Sequence, residues 1–65
     1  VVRIRVQDRI IVLRLEPEPG SGGYAVSSPT LRGLNTQGES IEEAIANGRE
    51  AAVALLTEPR PRKNG

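Results

Sequence analysis

The stretch Gly22-Gly23-Tyr24-Ala25-Val26-Ser27-Ser28-Pro29-Thr30-Leu31-Arg32-Gly33-Leu34-Asn35-Thr36-Gln37-Gly38-Glu39-Ser40-Ile41-Glu42-Glu43-Ala44-Ile45 reads as strand, turn, strand and capped helix, with little slack between the parts. Tyr24 to Ser28 extends as a strand. Pro29 lacks an N–H for a sheet and pushes Ser28 toward an extended backbone. Gly33 breaks the chain again, Leu34-Asn35-Thr36 is a short strand candidate, and Gly38 stops it. Ser40-Ile41-Glu42-Glu43 fits a capping box, in which the serine hydroxyl accepts from the Glu43 N–H and the Glu43 carboxylate reaches back.

Working outward, Pro17-Glu18-Pro19-Gly20-Ser21-Gly22 is turn chemistry throughout and joins two neighbouring antiparallel strands. Upstream, Val2, Ile4 and Val6 share one strand face and Arg3 and Arg5 the other. Gln7-Asp8-Arg9 is polar and reads as a hairpin turn, so two strands are favoured over one long bent strand, Asp8 being a poor strand residue. Ile11, Leu13 and Leu15 line one face of the second strand, with Val12, Arg14 and Glu16 opposite. Tyr24 and Val26 are placed toward the helix, and Ala25 and Ser27 away from it.

Downstream, Ile41, Ala44, Ile45, Gly48, Ala52, Leu55 and Leu56 recur at spacings of three and four. They form one apolar stripe of a helix running from Ile41 to about Thr57. Glu42, Glu43, Asn47 and Glu50 are assigned to its solvent side. Gly48 within the stripe costs about 1 kcal/mol relative to Ala; a close approach of helix to sheet explains it, and so does a neutral historical choice. Pro59 ends the helix, and 59–65 reads as a flexible basic tail. The expected architecture is one α+β domain over 1–58: a small antiparallel sheet of three or four strands with one helix packed on one face.

Sixty-five residues with no Phe, Trp, Met or Cys, and Tyr24 as the one aromatic, leave Val, Ile, Leu and Ala to build the core. A chain this short buries only about 60% of the surface exposed on unfolding. Small scaffolds without disulfides or metals often lean on association, so a homodimer or larger assembly is expected, with an exposed edge at Val2–Val6 open to a second copy. The longest apolar run, Ile10 to Leu13, is too short to span a bilayer. With no cysteine and no visible signal peptide, the expected location is cytoplasmic.

No histidine or cysteine is present, which removes the usual general base, the nucleophilic triads and most zinc sites. The carboxylates, seven Glu and Asp8, do not read as a converging two-metal set, because Glu42, Glu43 and Glu50 fall on one solvated helix face. No phosphate loop is present. The chain is therefore expected to have no catalytic, cofactor or metal site. The net charge of +1 leaves no large footprint for nucleic acid. Arg3, Arg5, Arg9 and Arg14 are candidates for a basic sheet face, but without interleaved aromatics they lack a stacking platform.

The run Leu15-Glu16-Pro17, Gly22-Gly23-Tyr24, Pro29-Thr30-Leu31-Arg32-Gly33, Thr36-Gln37-Gly38-Glu39-Ser40, Glu42-Glu43-Ala44 resembles the HicB-like antitoxin family over roughly Ile11 to Thr57. Thr30 and Arg32 depart from the acid and proline usual there. The resemblance implies a degraded ribonuclease H-like fold and a protein that neutralises a small messenger-RNA-cleaving toxin by covering its active site. It also implies a minimal member, without the C-terminal DNA-binding domain that many relatives add. One helix shields one face of a sheet, so the expected partner surface is the other face with the following loop: Val12, Arg14, Glu16, Ala25, Ser27, Thr30 and Arg32. Glu16 and Glu18 are placed to meet basic groups of a toxin. The alternatives carried forward are a direct nucleic-acid-binding module using the arginine-bearing strands, and an orphan module that only self-associates.

Overall fold

The computed structural model describes residues 1–57; the tail predicted at 59–65 and the domain boundary at 58 lie outside them. Four strands, β1 (Val2–Val6), β2 (Arg9–Pro17), β3 (Tyr24–Ser27) and β4 (Asn35–Gly38), form an antiparallel meander in the order β1-β2-β3-β4. One helix, α1 (Ile41–Thr57), follows and packs against all four strands. The architecture is thus an α+β sheet with one helix on one face.

The β1–β2 turn is tighter than the three polar residues suggested. Gln7 and Asp8 alone form it, with φ of 51° and 64°. Positive φ at both central residues is the mark of a type I′ turn, whose twist matches that of the flanking strands. Val6 and Arg9 are the register partners that flank it, followed by Ile4↔Ile11 and Val2↔Leu13.

β2 is the long element, and its two halves have different neighbours. Residues 9–13 pair with β1, whereas Arg14, Leu15, Glu16 and Pro17 pair with Ser27, Val26, Ala25 and Tyr24 of β3. Pro17, read from sequence as the start of the turn, is the last residue of β2. Its missing N–H lies on the side where β1 has already ended, so no ladder bond is lost. The turn itself is closed by Glu18 N–H donating to the Gly23 carbonyl at 2.8 Å and Gly22 N–H to the Glu18 carbonyl at 3.1 Å.

The last strand is shifted by about one residue from the sequence expectation. Leu34 precedes it and is a buried core anchor, 4% exposed, while Gly38 belongs to the strand, opposite Tyr24. Backbone packing explains why Gly38 extends the strand instead of stopping it. A Cβ there would sit 2.4 Å from the Ala44 nitrogen and 2.6 Å from its Cα, so α1 begins directly over the end of β4.

The helix start matches its signature. Ser40 Oγ accepts from Glu43 N–H at 3.1 Å, and Glu43 Oε1 accepts from Glu39 N–H at 2.7 Å. The reach-back bond thus falls one residue before the cap. The sheet-facing stripe of α1 is narrower and smaller than the heptad-like pattern implied: Ala44, Gly48 and Ala52 are buried, whereas Ile41 and Leu55 are 52% and 38% exposed. The large core side chains come from the sheet side, namely Ile4, Val6, Ile11, Leu13 and Val26, with Leu34. Tyr24 packs half-buried against this cluster.

Close approach is therefore the reason for Gly48. A Cβ on it would lie 2.8 Å from Leu13 Cδ1 and 3.3 Å from Val26 Cγ1. At Gly38 the obstacle is helix backbone; at Gly48 it is the tip of a side chain. Gly38→Ala is expected to destabilise the fold by about 2–4 kcal/mol, because backbone cannot step aside. Gly48→Ala is expected to lose about 1 kcal/mol or less, since overpacking is offset by the better helix propensity of Ala. Urea denaturation of the two variants checks the ordering, and a Gly38→Ala variant as stable as wild type would contradict it.

Candidate functional site

Strand alternation and the register divide the sheet into two faces. The helix side carries Val2, Ile4, Val6, Ile11, Leu13, Leu15, Tyr24 and Val26. The other side carries Arg3 and Arg5 of β1, Ile10, Val12, Arg14 and Glu16 of β2, Ala25 and Ser27 of β3, and Asn35 and Gln37 of β4. No described element covers this second face. Antiparallel sheets commonly leave one face to solvent, but a solvated face usually alternates in polar residues, and this one holds Ile10, 53% exposed, next to half-buried Val12.

The candidate residues from the sequence do assemble. Arg14 lies opposite Ser27 and Glu16 opposite Ala25, so these four are direct cross-strand neighbours. Val12 lies two residues along β2 on the same face. Thr30 joins them by a bond that bridges 18 residues of chain: its Oγ1 accepts from Val12 N–H at 3.1 Å. The bond has a clear cause. β3 ends at Ser27, opposite Arg14, and Pro29 cannot continue the ladder, so the next β2 donor on that side would be orphaned. The loop then folds back and supplies a hydroxyl.

Ser28 holds the loop in that position. Its Oγ accepts from Thr30 N–H at 3.2 Å and from Leu31 N–H at 3.1 Å, and lies 3.3 Å from Thr30 Oγ1. This is the side-chain-to-backbone geometry that serine favours in turns. Leu34 N–H to the Leu31 carbonyl at 3.3 Å and Gly33 at φ 91° complete the turn toward β4. Arg32 is exposed on this loop.

Two features escaped the sequence reading. Ile10 belongs to the open face by simple parity with Val12. Arg3 and Arg5 lie opposite Val12 and Ile10, which places both arginines beside the apolar residues. Arg9, grouped with them from sequence, is instead the register partner of Val6 and lies on the helix side. The open face therefore holds Arg3, Arg5 and Arg14 against the single acid Glu16 on its strands. Asn47, assigned to solvent from sequence, is half-buried and donates from Nδ2 to the Gln37 carbonyl at 2.7 Å.

An open groove of about 550 Å³ is bordered by Glu18, Ser21, Tyr24, Gln37, Glu39, Glu43 and Asn47. Its carboxylates have local tasks: Glu43 closes the helix cap, and Glu18 Oε1 accepts weakly from Ser21 Oγ at 3.4 Å. Among the described residues, no group of three or more His, Cys, Asp or Glu side chains is arranged to hold a metal ion, and no helix is long and apolar enough to cross a membrane.

Compared with protein-family models, with curated proteins and with solved structures, the chain gives no match. The open face is thus read from its own chemistry. Thr30→Val, which keeps the shape and removes the acceptor, is expected to cost about 1–2 kcal/mol. It should also speed hydrogen exchange at the Val12 amide while the Ile11 and Leu13 amides keep their protection. Thr30→Ser should behave as wild type. Unchanged exchange at Val12 in Thr30→Val would show that the hydroxyl does not hold the loop.

Proposed function

We propose that the chain is a protein-binding module of the HicB-like antitoxin type, which occludes a small ribonuclease with its open sheet face. The observation that carries this reading is the apolar pair of exposed Ile10 and half-buried Val12 on a sheet face that no described element covers. Apolar area removed from water supplies about 25 cal/mol per Å², so apolar side chains on an open sheet face favour a macromolecular partner over a small ligand. The small side chains of Ala25 and Ser27 let that partner approach closely. The four-stranded meander with a single helix on one face is of the class that a degraded ribonuclease H-like fold requires. In this reading Glu16 and Glu18 meet basic groups of the toxin at the rim, where charges set encounter rate more than affinity. The protein has no hydrolytic role of its own and acts by exclusion.

The direct nucleic-acid reading is kept because one specific observation favours it. Register places Arg3, Arg5 and Arg14 on one face with Glu16 as the only acid among its strands. A few phosphate contacts would weaken steeply as salt rises.

Co-expression with the adjacent small gene, in a host where that gene alone arrests growth, tests the antitoxin reading. Wild type is expected to restore growth, and Val12→Asp to restore it poorly while remaining folded. Full rescue by both Val12→Asp and Glu16→Arg removes the proposed face; no binding or rescue by wild type removes the antitoxin reading. RNA affinity that survives moderate salt and is lost in an Arg3→Ala/Arg5→Ala/Arg14→Ala variant would establish the nucleic-acid reading in its place.

A further inference from the structure

The direction of each backbone group along the sheet follows from the turn. In a two-residue hairpin the flanking pair, here Val6 and Arg9, exchanges both of its hydrogen bonds, and pairs then alternate. Ile4↔Ile11 and Val2↔Leu13 are bonded pairs, so Arg3 and Arg5 turn their N–H and C=O groups away from β2, to the outer edge of β1. The same alternation carried across β2 sends Val12 N–H toward the β3 side, where Thr30 receives it. Carried across β3, it makes Val26↔Thr36 and Tyr24↔Gly38 bonded pairs and turns Asn35 and Gln37 to the outer edge of β4. The sheet thus has two open edges, represented by Arg5 on one side and Gln37 on the other.

One outward carbonyl on each edge accepts a hydrogen bond from the helix. Arg49 Nη1 donates to the Arg5 carbonyl at 3.1 Å, across 44 residues of chain. Asn47 Nδ2 donates to the Gln37 carbonyl at 2.7 Å. Between the two lies Gly48, seated on Leu13 and Val26 of the central strands. Successive helix residues project about 100° apart, as 3.6 residues per turn requires. With Gly48 aimed at the middle of the sheet, its two neighbours splay to opposite edges.

We propose that Asn47 and Arg49 are paired edge guards, which hold both edges of the sheet closed against strand addition by a second copy of this chain. An incoming strand lies about 4.8 Å from the edge strand and needs both the N–H and the C=O of each outward residue. At Arg5 and Gln37 the carbonyl already has a side-chain donor, which an incoming strand would have to displace to complete its ladder. The inference is independent of the partner's identity. It assigns association, with a second copy or with another protein, to the open face and not to the Val2–Val6 edge.

The test compares wild type with Asn47→Ala/Arg49→Met by sedimentation and by amide hydrogen exchange from low to high micromolar concentration. In wild type the amides of Arg3, Arg5, Asn35 and Gln37 are expected to exchange rapidly at every concentration. In the double variant they are expected to slow by about tenfold or more as concentration rises, together with the appearance of larger species. Arg49→Lys, which keeps a donor, should behave as wild type. A folded double variant that sediments as wild type and leaves these four amides fast overturns the proposal. So does wild type whose Arg3 and Arg5 amides become protected with concentration, a measurement that decides the matter even if the double variant does not fold.

Discussion

The helix lies so close to the sheet that two glycines, Gly38 and Gly48, stand at its contacts, and most of the structure follows from that approach. Gly48 leaves room for Leu13 and Val26, and Gly38 leaves room for the backbone of Ala44. With Ala44 and Ala52 on the same stripe, α1 presents a nearly smooth surface, and the branched side chains of the sheet fill the space beneath it. This division is one way for a chain without Phe, Trp or Met to close a core. Small residues on one layer leave space for Ile, Val and Leu of the other, the pairing of small and large that a dense interior uses. Nearness also sets the polar contacts. Asn47 has a short side chain, and it meets the Gln37 carbonyl because the helix axis is held low over the strands.

The second organising feature is the stagger of β2. Its first half is flanked by β1 and its second half by β3, so each half has one side without a strand. The chain treats the two gaps differently. Beside residues 14–17 the gap falls where Pro17 needs no donor. Beside Val12 the loop from Ser28 to Gly33 folds into the gap and Thr30 supplies the acceptor. The loop is thereby fixed to the open face by hydrogen bonds, and it extends that face beyond the end of β3. A partner that docks there meets a loop already held in place by hydrogen bonds, so little ordering of that loop is required on binding.

The open face is mixed in character. Ile10 and Val12 of β2 are apolar and lie opposite the basic Arg5 and Arg3 of β1, while Ala25 sits farther along the face, opposite Glu16. Arginine stems cover apolar neighbours while their heads stay in water, so such a face remains soluble when unoccupied and can still give up area to a partner. On the helix, Ile41 is exposed at the start of α1, and Val53 and Leu55 are exposed together in its uncharged last part, Ala51 to Thr57.

Local signals in the chain were enough for the element types, the helix cap at Ser40 and the face alternation of β1 to β3, because each depends on neighbours within about four residues. The capping box, the period of two along Ile11-Val12-Leu13-Arg14-Leu15 and the breaks at Pro29 and Gly33 are all of that kind. The open-face residues Val12, Arg14, Glu16, Ala25 and Ser27 fall together for the same reason: parity within a strand is local, and the turn brings the strands side by side. What the linear chain left open was decided by contacts between distant segments. Whether Gly38 ended β4 or belonged to it depended on the helix backbone lying over it. Whether Pro17 began the turn or closed the strand depended on where β1 stops. Arg9 changed face once the two-residue turn set the register. Thr30, Asn47 and Arg49 gained their roles only from partners 18, 10 and 44 residues away. A hydroxyl, an amide and a guanidinium suit many surroundings equally well, and it is the backbone group left unpaired by the fold that selects among them.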